Sequence, residues 1–308
     1  MQRVLLDVDT GIDDTLAISY AVRSTELDVI GITTCFGNVS VDQATDNTLH
    51  VLEQLEVDIP IAKGEGKPLF HPMHKSYSTH FHGENGLANQ SVSRSDKHLP
   101  KHASQFIIEQ VKKYPHEITI ICVGSLTNLA LTIMQEPEII SLVKNVVVMG
   151  GAVRVPGNNQ MHAEANIYAD PEAADIVFRS GIPITLVGLD VTMKTALSKK
   201  EIQKWKNHNT KVSNFLYEIT DYYIDRYRNY YGDRDYCALH DPLAVAVAID
   251  PSLVTIEPMV VSIDLEGLYS YGRTVADLRE RCTDKPNVNV CVAVDSERFL
   301  AHFLQHIV

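Results

Sequence analysis

The first fourteen residues of this chain contain four carboxylates, which follow a short apolar run. They are Asp7, Asp9, Asp13 and Asp14, placed around Thr10 and Gly11 and preceded by Val4, Leu5 and Leu6. Carboxylates this close raise one another's pKa unless a cation or a proton offsets their charge, so a hard divalent ion is the simplest explanation. The alternative is that Asp13 and Asp14 bind no cation and simply stabilise the N-terminus of the helix that follows. That alternative leaves Asp7 and Asp9 unexplained, because both precede the turn.

A second acidic turn, His240-Asp241-Pro242, precedes an apolar run at residues 243–249. This pattern predicts a helix with Asp241 as its N-cap and Pro242 at its first position. Capping alone could account for Asp241. If the two acidic turns meet, Asp241 supplies a further carboxylate for the cation, and His240 stands beside it as a proton donor with a pKa in the useful range.

A third polar segment lies further along the chain and ends at Asp170-Pro171, a good N-cap followed by a first-turn proline. It contains Asn158, His162, Glu164 and Asn166. At a spacing of two, Glu164 and Asn166 would share one face of an extended segment, which suits hydrogen bonds to the vicinal hydroxyls of a sugar. The alternative is a polar surface loop.

Aromatic and imidazole side chains form two further groups. Tyr223, Tyr227 and Tyr231 recur at a spacing of four, which is typical either of core packing or of a partly exposed aromatic face that stacks on a planar base. A group of histidines occurs earlier, at His71, His74, His80 and His82. They lack a compact Cys/His ligand set, so we expect no zinc site, while contact of one of them with substrate stays open.

Elements that alternate along the chain must position these residues. The predicted strands cover residues 4–6, 29–34, 59–62, 118–123, 146–149 and 184–187, and the predicted helices include 44–55, 103–113 and 172–179. Strands that alternate with helices predict an α/β fold with a mostly parallel, doubly wound, Rossmann-like sheet. The polar segments follow strand ends, which converge at one edge of such a sheet and form the expected ligand crevice.

The organisation predicts a single domain over residues 1–308, because no Pro/Gly/Ser-rich linker divides the chain. Residues 63–101 are rich in His, Ser, Gly and Asn, so we expect a long loop near the ligand. Residues 198–231 are predicted to be helical. From residue 260 onward we expect further strands and a terminal helix.

Composition excludes some partners. The formal net charge of −12 argues against nucleic acid or an anionic membrane as a partner, because both require a basic face. The five cysteines form no CxxC pair and look like reduced thiols. No signal peptide or membrane-spanning run is found, so we expect a cytoplasmic location and a small-molecule substrate.

Six motifs, taken in order, resemble those of the inosine-uridine preferring nucleoside hydrolases. They are the DVDTGIDD run at 7–14, Gly37-Asn38, the HGENGL run at 82–87, Leu126-Thr127-Asn128, the MGGA run at 149–152, and His240-Asp241-Pro242. The resemblance implies a nucleoside hydrolase-like fold and calcium-dependent hydrolysis of the N-glycosidic bond of ribonucleosides to free base and ribose. It also implies a homodimer or homotetramer in purine and pyrimidine salvage.

The same resemblance assigns the site. It implies a Ca²⁺ held by Asp9, Asp14, Asp241 and the backbone carbonyl of Val123, with Asp9 as the base that deprotonates the attacking water. It implies contacts to the ribose hydroxyls from Asp13, Asn38, Glu164 and Asn166, and a contact to the 5′-hydroxyl from Asn158. At the base it implies His240 as proton or hydrogen-bond donor, with His82 and Tyr227 nearby. Ala165 stands where the family usually has phenylalanine.

Two rival functions stay open at this point. A haloacid-dehalogenase-type phosphatase also opens with a strand and DxD and would use Asp7 as nucleophile, but it expects Thr or Val where this chain has Gly11. A non-catalytic, calcium-stabilised nucleoside or sugar sensor would need neither Asp9 nor His240. Base preference among inosine, uridine, cytidine and adenosine is left open.

Overall fold

The computed structural model of this protein describes residues 1–94 and 97–308. Its strands are β1 (Gln2–Val8), β2 (Leu27–Thr34), β3 (Ile61–Lys63), β4 (Thr119–Cys122), β5 (Asn145–Met149), β6 (Ile184–Val187), β7 (Ala196–Ser198), β8 (Tyr236–Ala238), β9 (Val254–Met259), β10 (Val261–Ile263), β11 (Thr274–Ala276) and β12 (Val288–Val294). Residues 95 and 96, which fall within the predicted long loop, lie outside the described residues.

The helices alternate with these strands. They are α1 (Ile12–Arg23), α2 (Val41–Leu55), α3 (Thr79–His82), α4 (Ala103–Lys113), α5 (Thr127–Gln135), α6 (Ile139–Leu142), α7 (Ala165–Ala169), α8 (Pro171–Arg179), α9 (Leu189–Thr192), α10 (Lys199–Ile202), α11 (Lys211–Tyr231), α12 (His240–Ile249) and α13 (Ser296–His306), with 3-10 turns at Gln203–His208 and Pro251–Leu253. Within the described ranges, no helix is both long and apolar enough to cross a bilayer.

The main sheet is mostly parallel, as the alternating pattern predicts. Among the described residues its strand order is β3-β2-β1-β4-β5-β6-β12-β9, and only β9 runs antiparallel, against β12. The chain leaves β1 toward β2 and β3 and then returns to place β4 on the other side of β1. The strand order therefore reverses beside β1, which is where open α/β sheets form their ligand crevice.

Two helices lie directly beneath this crevice. Residues 12–21 of α1 and residues 240–248 of α12 are buried, and the two helices pack against each other. A helix that is buried on all sides needs no polar face toward solvent, which explains why neither helix is amphipathic. Both begin at the same edge of the sheet, so their first turns meet.

The predicted helix over residues 198–231 is wrong at its start. The segment forms β7, α10 and a 3-10 turn before α11 begins. Asn209 has a left-handed backbone (φ 47°), which ends the 3-10 turn. The Thr210 side chain then accepts a hydrogen bond from the Ser213 N–H and caps α11. Between β3 and α4 the described residues are largely irregular, as predicted, although the sequence does not predict the one-turn helix α3.

Candidate active site

The turn between β1 and α1 is held together by its own carboxylates. The Asp14 side chain reaches back and accepts hydrogen bonds from the Asp9 N–H (3.0 Å) and the Gly11 N–H (2.9 Å). The Asp9 carboxylate accepts from the Asn38 N–H (2.6 Å) and from the Asn38 side-chain amide (3.2 Å), which also reaches Asp14 at 3.2 Å. The structure therefore brings together Asp9, Asp14 and Asn38.

Asp7 lies apart from this group, inside the sheet. Its Oδ1 accepts hydrogen bonds from the Thr33 hydroxyl (2.5 Å) and the Asn128 amide (2.8 Å). Burial raises the pKa of Asp7 to about 6, against the effect of these two hydrogen bonds. Asp7 therefore ties together the ends of β1, β2 and α5. Its inclusion with the cation-binding carboxylates is wrong, and so is the role of nucleophile that the phosphatase alternative gives it.

The second acidic turn meets the first through Asp13. Helix α12 begins at His240, with Leu239 at the N-cap, so the prediction that Asp241 is the N-cap is wrong. Pro242 occupies the first turn without cost, because the N–H groups there have no partner within the helix. The free N–H of Asp241 is instead satisfied by Asp13 Oδ2 at 3.1 Å. Asp13 Oδ1 is buried and has no hydrogen-bond partner in the described chain.

Four buried carboxylates thus converge, namely Asp9, Asp13, Asp14 and Asp241. Burial raises the pKa of all four, and neighbouring carboxylates raise the pKa of Asp241 further. Within residues 1–94 and 97–308, no three His, Cys, Asp or Glu side chains are already arranged as a metal-binding group. The donors are nevertheless all hard oxygens, so the chemistry of this cluster fits a cation such as Ca²⁺.

Glu164 is the N-cap of α7. Its carboxylate accepts from the N–H groups of Gly151 (3.0 Å), Asn166 (2.9 Å) and Ile167 (3.1 Å), and burial raises its pKa. The expected extended segment is therefore wrong, because the cap starts a helix at Ala165. The alternative of a polar surface loop holds for the first part of the segment, where His162 is exposed, but not for Glu164 and Asn166, which are buried.

The amide of Asn166 lies at the ends of two strands of the sheet. It donates to the carbonyls of Val123 (2.7 Å) and Met149 (3.2 Å), which follow β4 and end β5. Asn158 accepts from the Ala165 N–H at 3.0 Å and lines the same cavity. The amide and carboxylate groups of this segment therefore face the cluster formed by the two acidic turns.

His82 is a neutral hydrogen-bond donor in this cavity. Burial lowers the pKa of His82 to about 3, and the Lys75 ammonium and two neighbouring histidines contribute to the same shift. Its Nδ1 accepts from the Ile12 N–H at 3.0 Å, so its single hydrogen sits on Nε2. The ring stacks on Tyr223 with centroids 5.1 Å apart.

His240 is held between two hydroxyl groups. Nδ1 lies 2.8 Å from Thr192 Oγ1, and Nε2 lies 2.9 Å from the Tyr227 hydroxyl. Burial lowers the pKa of His240 to about 4, so the expected pKa in the useful range is wrong and the ring is neutral at pH 7. Thr192 gives no sequence signal, because it lies in the one-turn helix α9.

The cavity is lined by two kinds of side chain. One kind is carboxylates and amides, and the other is the rings of His82, Tyr223, Tyr227 and His240. Tyr223 and Tyr227 are buried, so the predicted partly exposed face is wrong for both. The cavity is lined by ten of the predicted residues, namely Asp13, Asn38, His82, Val123, Asn158, Glu164, Asn166, Tyr227, His240 and Asp241. It is also lined by residues to which the sequence assigned no specific role, including Ser78, Phe81 and Asn159.

Comparison with curated proteins points to one family. The family model described as inosine-uridine preferring nucleoside hydrolase matches residues 4–301. A probable uridine nucleosidase 2 of Arabidopsis thaliana is 38% identical over 304 residues, which cover 96% of this chain and 94% of that protein. The inosine-uridine preferring nucleoside hydrolase of Leishmania major is 37% identical over 303 residues, which cover 97% of this chain and 95% of that protein.

A solved structure has the same fold. The purine-preferring ribonucleoside hydrolase from Gardnerella vaginalis superimposes with a TM-score of 0.95 and 41% identity, covering 99% of this chain and 98% of that one. The family model and these relatives span nearly the whole chain and confirm the resemblance carried by the six motifs. The chain therefore belongs to the inosine-uridine preferring nucleoside hydrolase family of enzymes.

Proposed function

We propose that this enzyme hydrolyses the N-glycosidic bond of ribonucleosides, with inosine and uridine among its substrates, and that its metal is Ca²⁺. One observation carries the proposal: a single cavity is lined both by buried carboxylates and by neutral imidazole and phenol rings. We place the sugar against the carboxylates, at what we call the sugar end, and the planar base against the rings, at the base end. Membership of the family implies a metal cofactor in general; the all-oxygen donor set favours calcium.

At the sugar end, the carboxylates stabilise the positive charge that develops on the ribose as the bond breaks. Asp13 supports this role, because its buried Oδ1 has no hydrogen-bond donor in the described residues and is free for a hydroxyl. We assign the ribose hydroxyls to Asp13, Asn38, Glu164 and Asn166, and the 5′-hydroxyl to Asn158.

Asp9 is the proposed general base. Its carboxylate is fixed by two hydrogen bonds from Asn38, which orient it for one attacking water. Calcium held by Asp9, Asp14, Asp241 and the carbonyl of Val123 would neutralise the cluster and acidify that water. The ionised form of Asp9 then accepts the proton.

At the base end, the leaving group receives hydrogen bonds from neutral donors. The Nε2–H of His82 is one such donor. The hydrogen-bonded series Thr192–His240–Tyr227 supplies the second, because Thr192 and the neutral imidazole orient the Tyr227 hydroxyl as a donor to the departing base, and solvent replaces the proton that the base takes up. We infer that base release depends on Tyr227 as well as on His240.

Three further properties belong to the same proposal. We propose one domain over residues 1–308, since the family match runs from residue 4 to residue 301 without interruption. A cytoplasmic location is supported by the five cysteines, all within the described ranges and all free thiols. A homodimer or homotetramer is the assembly we expect, and its mass in solution tests it.

Release of ribose from inosine, uridine, cytidine, adenosine and a ribonucleoside 5′-phosphate tests the function. The assay uses phosphate-free buffer, before and after removal of calcium, with Asp9→Ala as the inactive control. We expect calcium-dependent release from nucleosides and none from the nucleotide. Binding of nucleosides without ribose release would favour a sensor, phosphate release from the nucleotide would favour a phosphatase, and either result would refute the proposal.

A further inference from the structure

A lysine outside the assigned site has a buried ammonium group for which the described part of the chain supplies no hydrogen-bond acceptor. Lys75 lies in the segment between β3 and α3, and only 2% of it is exposed. Its Nζ has no hydrogen-bond acceptor among the described residues. A buried ammonium without an acceptor is costly, so a ligand is the expected source of one.

Lys75 lies on a segment that borders the cavity, because Ser78, three residues further along, lines the cavity together with Asn38. Burial raises the pKa of Asp9 and of Glu164, and the Lys75 charge acts in the opposite direction on both carboxylates. The same charge adds to the effect of burial in lowering the pKa of His82. These three groups come from different elements, and Lys75 is close enough to act on each of them.

The fold fixes the segment on both sides of Lys75. After it, the Ser78 N–H donates to the Asn38 carbonyl at 3.0 Å. Before it, the Leu69 N–H donates to Asp170 at 3.0 Å, and His71 lies 3.1 Å from a Glu172 oxygen. These anchors join the segment to α8 and to the loop that carries Asn38. The position of Lys75 therefore follows from the packing of the site.

The chemistry of the neighbours selects the ligand. A phosphate would accept from the ammonium, but Asp9 and Glu164 would repel it. A hydroxyl can donate its hydrogen to a carboxylate while its oxygen accepts from an ammonium. We propose that Lys75 is a substrate-binding residue that donates a hydrogen bond to the sugar hydroxyl held by Glu164. This inference rests on the proposed function and adds a contact that selects for a particular hydroxyl.

The test compares Lys75→Met with Lys67→Met, a control on the same segment whose side chain is exposed. Both variants and the parent are assayed on uridine and on its 2′-, 3′- and 5′-deoxy analogues. Loss of a charged hydrogen bond lowers kcat/KM on uridine by about 10- to 100-fold. We expect this loss with Lys75→Met only. On the one analogue that lacks the accepting hydroxyl, Lys75→Met and the parent should have the same kcat/KM. Where an analogue is not cleaved, its inhibition constant against uridine is compared between variant and parent instead.

Two results with an active parent would overturn the inference. The same loss on all four substrates would assign Lys75 to the shape of the segment, and no loss on uridine would exclude a contact. A parent that cleaves neither uridine nor any other nucleoside would refute the proposed function itself, and the inference with it. Measuring the parent first therefore separates the two failures.

Discussion

Asp9, the proposed general base, depends on a neighbour that has no side chain. A Cβ at Gly37 would collide with the Asp9 carboxylate, which accepts two hydrogen bonds from Asn38 in its present position. We predict that Gly37→Ala displaces the carboxylate and lowers kcat about 100-fold, the usual effect of a misplacement of about 1 Å at a reacting group. Steady-state kinetics on uridine measures this effect. Gly66→Ala, in the following loop and with only Val41 close by, is the control and should retain near-parent kcat. Equal kcat in both variants would contradict the role of Gly37.

The phenol of Tyr227 provides a second prediction about a single group. Its hydroxyl is bonded to His240, so Tyr227→Phe interrupts the donor series at the base. We expect kcat on inosine and uridine to fall about 10- to 100-fold, a common contribution of general acid catalysis. A 4-nitrophenyl riboside, whose leaving group departs without a proton, should be cleaved at close to the parent rate. Tyr230→Phe is the control, because Tyr230 is 58% exposed. An equal loss on both kinds of substrate would exclude a role in protonation.

Most polar residues of the site are predictable from sequence, because carboxylates and amides after strand ends have few structural reasons to cluster. The state of each group is not predictable. Asp7 shares the motif with Asp9, yet its carboxylate turns into the sheet toward Thr33. His240 looks like an ordinary acid, but burial lowers its pKa. Lys75 has no motif at all, since only the packing of its segment buries it.

At the level of elements, Asp170 joins three parts of the molecule. Its side chain caps α8 through the Ala173 N–H (3.1 Å), accepts from the Thr127 hydroxyl of α5 (2.7 Å), and accepts from the Leu69 N–H of the segment before α3 (3.0 Å). The two helices α8 and α5 and the segment before α3 are therefore held by one carboxylate. This arrangement explains how an irregular segment keeps a fixed position beside the cavity.

We predict that Asp170→Ala lowers the free energy of unfolding by about 3 kcal/mol, because it removes a cap and leaves the buried Thr127 hydroxyl without its carboxylate partner. Urea denaturation measures the change. Asp295→Ala is the matched control, since Asp295 caps α13 through the Arg298 N–H at an exposed site, with only a long surface ion pair to the same arginine among the other described contacts of its side chain, and we expect about 1 kcal/mol. Equal losses would show that the contacts of Asp170 beyond its cap contribute nothing.

The parallel strands of the sheet are predictable because their apolar runs are short and bounded, and β6 has the predicted limits. Helix starts are harder to predict when the cap comes from elsewhere. Pro242 suggests a helix that starts at Pro242, but Asp13 satisfies the N–H of Asp241 from another helix and allows a start at His240. A contact between residues 228 positions apart cannot be found from local pattern.

At the scale of the whole molecule, that same contact joins two helices that are far apart along the chain. Helix α1 follows the first strand of the sheet, whereas α12 comes after most of the other elements, and their first turns share the carboxylate cluster. In the absence of a cation, four buried carboxylates with raised pKa oppose this junction. The bound metal is therefore expected to stabilise the global fold as well as to serve the reaction.

We predict that Ca²⁺ at about 100 times its Kd stabilises the native state by about 3 kcal/mol, as mass action requires of a ligand that binds only the folded chain. Thermal unfolding of the stripped protein, with and without Ca²⁺, measures this as a rise in Tm. Asp241→Asn should lose most of the rise, because it removes a proposed ligand from α12. Asp7→Asn, which changes a carboxylate outside the cluster, should keep it. If Asp241→Asn responds to Ca²⁺ as strongly as Asp7→Asn does, the ion does not join the two helices. Bound protons, which the raised pKa of these carboxylates favours, must then neutralise the cluster instead.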